Sequence, residues 1–490
     1  MSIGRNSIYN LVSTLVPTVL ALVTVPLYLK AIGPERYGVL AIAWLILGYF
    51  GVFDLGLGRA TTQKISSLRD AAPKDRSIAF GTAMVSNLAI GAIGAAVLWP
   101  ASVVMFQHEM KLEPALRQET MLALPLLALA VPVATTLGVL SGALMAREKF
   151  AVTSRISITN TILFQILPLA VAWIVGPHML GLLASSIAAR LVGLALYWRE
   201  CAGEFGKDAL RRFDRGQLRE LLHFGGWVTV AQLFNPFIVM LDRFVIGALL
   251  GSYPVTVYVV PNQLTTRVST VSNALISALF PRLAIADGAE AARLARDGVG
   301  AQLALLTAPI VGAFVLLHDG LALWVGARIA GDAAALGRLM LVTAWLNMSA
   351  SVAFSRLQAR GRPDLVTKTM LAQLPFFVVG LYFAVLHFGV VGAAWAMFVR
   401  TAVDLVVLDW FSARRIDHGG NIVVSLLLFA GLEYALAIVP DVFLVHIGLA
   451  IAGAVASLPL AWQAAPTQLR DRVWNLVARL AGWRRRAITR

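Results

Sequence analysis

About fourteen apolar stretches follow one another along the chain, each close to the roughly 20 residues that a bilayer-crossing helix needs. They lie near 7–30, 37–57, 78–105, 120–146, 152–176, 179–198, 223–250, 254–281, 300–317, 337–355, 368–387, 389–411, 422–438 and 443–463. Little chain is left between them, so no loop is long enough to build a soluble domain. The composition agrees: 59% of the 490 residues are hydrophobic and 14% are charged, against about 25% charged in soluble domains. The expected fold is an all-α polytopic membrane protein.

The placement of Lys and Arg gives this map an orientation. With the N-terminus in the cytoplasm, 31 of the 41 basic residues fall in segments on the inner side and six on the outer side. The other four, Arg190, Arg243, Arg267 and Arg400, fall within spans. Cytoplasmic loops of membrane proteins carry this bias, so both termini are expected in the cytoplasm. The net charge of +15 follows from topology and calls for no nucleic-acid partner. The start, MSIGRNS, has no small-residue cleavage site and is read as leading into a retained first helix. A single cysteine, Cys201, rules out an intramolecular disulfide.

Phe224 to Arg282 carries the most unusual chemistry. Two membrane-length segments meet at Gly251 and Ser252, with Asp242 and Arg243 inside the first and Arg267 inside the second. A charge at mid-bilayer costs about 2.5–3.5 kcal/mol on insertion scales, and such residues mark functional sites. At helical spacing, Gln232, Asn235, Asp242 and Arg243 share one arc. Asn262, Thr266, Ser269 and Asn273 form a polar stripe on the second segment, with Gln263, Arg267 and Thr270 beside it. The hairpin is expected to line a polar cavity. Arg400 and Asp404, four residues apart in the twelfth span, can pair along one face. Arg190 has no acid in its own span and needs a partner from another helix, water or an anionic ligand.

A short internal repeat divides the map. Pro17 precedes the Gly33 turn by 16 residues and Pro236 precedes Gly251 by 15, each pair opening a set of six spans. The expected organisation is an N-lobe (1–198), a basic linker (199–222), a C-lobe (223–411), two extra helices (412–463) and a basic amphipathic tail (464–490), with two pseudo-symmetric six-helix lobes around a central cavity. In the tail, Leu469, Val473, Leu476, Leu480 and Trp483 form an apolar stripe among arginines, suited to the cytoplasmic leaflet. No HExxH, GxSxG, phosphate-binding loop or metal-spaced Cys/His set occurs. The expectation is a non-enzyme without cofactor or metal.

The run from Arg5 to Ser66 resembles the opening of the polysaccharide (O-antigen, Wzx-type) flippases of the multidrug/oligosaccharidyl-lipid/polysaccharide exporter superfamily. The turn Gly33-Pro34-Glu35-Arg36-Tyr37-Gly38, the run Phe53 to Ala60, and Leu241-Asp242-Arg243-Phe244-Val245-Ile246-Gly247 carry the likeness. It implies helices in two lobes around a central cavity, and export of a lipid-linked oligosaccharide across the bacterial inner membrane by alternating access. On that reading Arg190, Arg243, Arg267, Arg400, Gln232, Asn235 and Asn262 line the cavity, and the arginines compensate a polyprenyl pyrophosphate. Asp242 and Asp404 couple transport to an ion gradient. Candidate partners are membrane lipids, a polysaccharide polymerase and other glycan-assembly proteins. A multidrug antiporter of the same superfamily and a lipid II flippase are the alternatives.

Overall fold

The computed structural model describes residues 3–49, 57–68, 70–219, 240–286, 288–360, 362–413, 418–471 and 474–475. Among them there are helices and turns but no strand. The chain divides into two compact units, Met1–Val259 and Val260–Arg490.

Unit 1 begins with α1 (Ile3–Tyr49), which Gly33 breaks at φ +78°, ψ 162°. The break falls between the expected spans 7–30 and 37–57. It is followed by α2 (Leu57–Ser67), α3 (Pro73–Val104, continued by a π turn to Glu109), α4 (Pro114–Ala146), α5 (Phe150–Ile174) and α6 (Met179–Phe205). α4 is the most enclosed of these helices and runs unbroken through Pro125 and Pro132. The Pro132 carbonyl accepts from the Thr136 hydroxyl at 2.6 Å, and Asn87 of α3 donates to Thr136 and Thr135. The two threonine hydroxyls thereby tie the proline-bearing stretch of α4 to α3 through Asn87. Where α2, α3 and α6 gather around α4, Leu57, Phe80, Leu140, Leu144, Tyr197 and Phe205 form a dense core, with Phe80 stacked on Phe205 at 4.6 Å.

Residues 240–250 form helix α7, and Gly251 turns the chain at φ +100° into α8 (Ser252–Ile285). A side chain at Gly251 would also meet the Lys111 carbonyl, so both conformation and space select glycine. Gly38 of α1 lies against the Ser252 carbonyl, and the Thr256 hydroxyl donates to the Pro34 carbonyl. The start of α8 is thereby fastened to the second half of α1, and the boundary between units falls inside α8, just before Pro261.

Unit 2 continues with α9 (Gly288–Val315), α10 (Leu317–Val325), α11 (Ala327–Ala359), α12 (Pro363–Ala413), α13 (Gly419–Ile438) and α14 (Phe443–Ala464). α11 is the enclosed central helix here. Its Trp345 is fully buried, donates to the Thr307 hydroxyl at 3.0 Å and meets Phe429 edge-on. Gly389, at φ +62°, folds α12 back on itself between the expected spans 368–387 and 389–411. Just beyond, Gly392 packs against the Ala384 carbonyl, which no larger residue could do.

Nine helices among the described residues are long and apolar enough to cross a membrane, with α12 counted as one. The expected span 223–250 and the tail beyond Asp471 lie mostly outside the described residues.

Candidate functional site

Gln232 and Asn235 lie outside the described residues. The other predicted residues divide between the units.

In unit 1, α1, α5 and α6 build a polar and aromatic cluster. Tyr28 donates to the Gln165 carbonyl at 2.7 Å, Thr24 to the Gln165 side chain at 3.2 Å, and Trp44 to the Ser186 hydroxyl at 3.1 Å. Trp44 stands edge-on to Tyr28 at 5.1 Å and 5.5 Å from Phe164. Arg190 closes the cluster. Its guanidinium carbon lies 4.8 Å from the Phe164 ring centre, and its Nη2 donates to the Leu47 carbonyl at 3.1 Å. The buried Nε has no hydrogen-bond partner among the described residues. The partner Arg190 needs from another helix is therefore a carbonyl and a ring face in place of a carboxylate.

Asp242 of α7 is buried, and the Tyr258 hydroxyl donates to its Oδ2. Its Oδ1 accepts from the Arg243 backbone N–H at 2.7 Å. Tyr258 is a partner that reading α7 alone could not supply, because the turn at Gly251 is what brings it back alongside.

In unit 2, the stripe on α8 stays uncovered. Thr266, Thr270 and Asn273 are exposed, and Asn262, Gln263, Arg267 and Ser269 are partly so. From Pro261 on, the buried described positions of this helix, Pro261, Thr265, Ser272, Ile276 and Leu283, lie on the side away from Arg267. Ser272 donates to the buried Gln302 side chain of α9 at 3.1 Å. Unit 2 thus packs one face of α8 and leaves the arginine-bearing face open.

Arg400 lies in a cleft of about 800 Å³ between the two halves of α12, among Phe376, Phe377, Leu381, Trp395 and Val399. Its guanidinium carbon is 5.1 Å from the Phe377 ring centre, and its Nη2 is 3.9 Å from Asp404 Oδ2. Gln373 donates to Asp404 Oδ1 at 2.9 Å. The expected pair forms, and Gln373, a polar residue in an otherwise apolar span, completes it. The structure brings Arg400, Asp404 and Gln373 together and places Arg267 apart on the open face of α8.

This architecture matches solved transporters. A multidrug resistance MATE family transporter of the MOP superfamily, in an inward-facing conformation, has a TM-score of 0.68 at 14% identity, covering 86% of this chain and 99% of that one. The lipid II flippase MurJ, in an inward closed conformation, has a TM-score of 0.69 at 12% identity, covering 93% and 99%. The fold is that of the MOP-superfamily transporters, and the chain is an integral membrane protein. Residues 3–286 match the family described as polysaccharide biosynthesis protein, and the chain belongs to that family. A Shigella flexneri protein named "Putative O-antigen transporter" is 28% identical over 418 residues, 84% of this chain and 98% of its own length.

Proposed function

We propose that the protein is a flippase that moves a polyprenyl-pyrophosphate-linked oligosaccharide from the inner to the outer leaflet of the bacterial inner membrane, for surface polysaccharide assembly. The observation that carries this reading is the open polar face of α8. A helix in a bilayer cannot leave Gln263, Thr266, Arg267, Thr270 and Asn273 to hydrocarbon, so this face meets a water-filled cavity. An arginine there offers a planar, permanently charged fork to phosphate oxygens. A cationic drug would be repelled by the same face, which sets the glycan reading above the multidrug one, and the similarity to the Shigella flexneri protein supports it.

In this account the four arginines divide the work. Arg267, with Asn262 on the adjoining stripe of the same helix, contacts the anionic carrier. Arg243 and Asp242 sit at the head of the hairpin that α1 holds. Arg190 and Arg400 brace pairs of helices through ring faces and a carbonyl or carboxylate. Asp404, shared between Arg400 and Gln373, and Asp242, bonded by Tyr258, are the coupling carboxylates. The lobes 1–198 and 223–411 alternate access, and both termini are cytoplasmic, as the distribution of basic residues supports.

Surface polysaccharide in the source organism, with the gene replaced by variants and normalised to protein in the membrane, tests this. Arg267→Ala should abolish display, Arg267→Lys should restore part of it and Arg267→Gln none, because Lys keeps the charge without the fork. Wild-type display from Arg267→Ala would remove the anion-contact role.

A further inference from the structure

The structure assigns a second site, away from the arginines, at the junction of α10 with the turn between α13 and α14: we propose that His318, Asp441 and His446, with Asp319 behind them, bind a transition-metal ion of the zinc type. The residues come from two places more than 110 positions apart. His318 and Asp319 open α10, Asp441 sits in the turn, and His446 lies in the first turn of α14.

The geometry has the parts of a metal site. Asp319 Oδ2 lies 2.7 Å from His446 Nδ1. A carboxylate holding one imidazole nitrogen in this way fixes the tautomer and aims the other nitrogen outward, the usual orienting contact behind a metal-binding histidine. The aimed nitrogen, Nε2, is 3.8 Å from Asp441 Oδ1, beyond hydrogen-bond reach. His318 Nδ1 is also 3.8 Å from that oxygen. Ligand atoms of His318, Asp319 and Asp441 all fall within 4.8 Å of one another.

Around a tetrahedral ion with bonds of about 2.0–2.1 Å, ligand atoms sit about 3.3–3.4 Å apart, so a contraction of about half an ångström would bring Asp441 into ligand spacing with both imidazoles, leaving a fourth position for water. Asp441 can supply that movement because its side chain is 74% exposed on a short turn, whereas His446 is fixed, at 4% exposed. Two imidazoles with carboxylates suit zinc and its neighbours over magnesium or calcium, which take oxygen shells. Asp319 also lies in the first turn of α10, where the helix dipole favours negative charge. The alternative role is thus a hydrogen-bonded latch that needs no metal. By the proposed topology the site faces the outer side, open to metal from the periplasm.

The test uses the full-length protein in detergent, stripped with chelator, loaded with zinc, desalted and assayed for bound metal. The wild type and His387→Gln, a histidine away from the cluster, should each retain about one zinc ion per chain. His318→Ala and Asp441→Asn should lose most of it. Asp441 is exposed, so its variant should elute and melt like the wild type. Should either variant fail to fold, the rise in Tm that zinc gives the wild type decides, since an ion that binds only the folded protein raises it. A wild type that retains no zinc and shows no rise in Tm, or an Asp441→Asn protein that retains as much as the wild type, leaves a latch only and overturns the site.

Discussion

The guanidinium of Arg190 lies 4.8 Å from the centre of the Phe164 ring, and the pairing has a counterpart in the other unit, where Arg400 lies 5.1 Å from Phe377. In both cases the arginine is near the middle of the second helix of a hairpin and the ring belongs to the first. A cation over an aromatic face away from water gains about 2 kcal/mol, and a hydrogen bond from a charged donor contributes about 1.5–3 kcal/mol. Half-buried arginines in apolar surroundings need such partners, and here each unit supplies its own.

Arg190→Ala should lower the thermal midpoint of the purified protein measurably, and Phe164→Leu should do so by less. The double variant should fall short of the sum, with a coupling of about 1 kcal/mol, because both changes remove the same contact. Additive losses in thermal unfolding would show that ring and guanidinium do not act together.

Close helix approach gives a second expectation. A side chain at Gly142 of α4 would lie 2.4 Å from the Gly58 carbonyl of α2, and the Thr62 hydroxyl bonds both the Gly58 and Gly142 carbonyls. Small residues let membrane helices meet in this way. Gly142→Val should leave little folded protein in detergent extracts, whereas Gly203→Ala, with open space around it, should match the wild type by size-exclusion chromatography.

The helical layout was legible in the sequence because hydropathy and basic residues report directly on the membrane. The turns at Gly33 and Gly251 were legible because each separates two apolar runs, whereas Gly389, the first residue of an expected span, shows itself as a turn only in the structure; all three glycines take positive φ. The expected pairing of Arg400 with Asp404 is local and forms at 3.9 Å. What stayed hidden are contacts made by folding. Nothing near Arg190 in sequence points to the Leu47 carbonyl 143 residues away. Likewise His446 and Asp319 are 127 residues apart, so a search for closely spaced ligands passes over them. The open face of α8 was visible as a stripe, but only the structure shows that unit 2 leaves it uncovered.

At the end of α6, beyond the apolar part of the helix, Glu204 takes Lys149 and Arg147, each at 2.7 Å. The hydrogen bond from Lys149 is the largest effect and holds its carboxyl below the ordinary value of 4.5; burial opposes it, and the hydrogen bond from Arg147 and the charges of both bases add to the lowering. A lowered folded-state pKa contributes stability above the unfolded value, lost as pH falls through the folded one. Glu204→Gln should therefore lower the thermal midpoint at pH 7, and the gap from the wild type should close as the pH falls below about 4.5. An equal gap at both pH values would assign the effect to packing.

The central claim is that the arginine-bearing face of α8 meets water inside the membrane, and cysteine labelling tests it most directly. Cys201 is buried and is the sole cysteine, so Cys201→Ser gives a background without thiols. Thr266→Cys, Thr270→Cys and Asn273→Cys, made singly in that background, should react with a membrane-impermeant thiol reagent in proteoliposomes. Ser272→Cys, on the packed face, should not. Reaction at the first three positions and silence at the fourth is the predicted result. If those three positions stay unreactive in folded protein, the face does not line an aqueous cavity and the account fails.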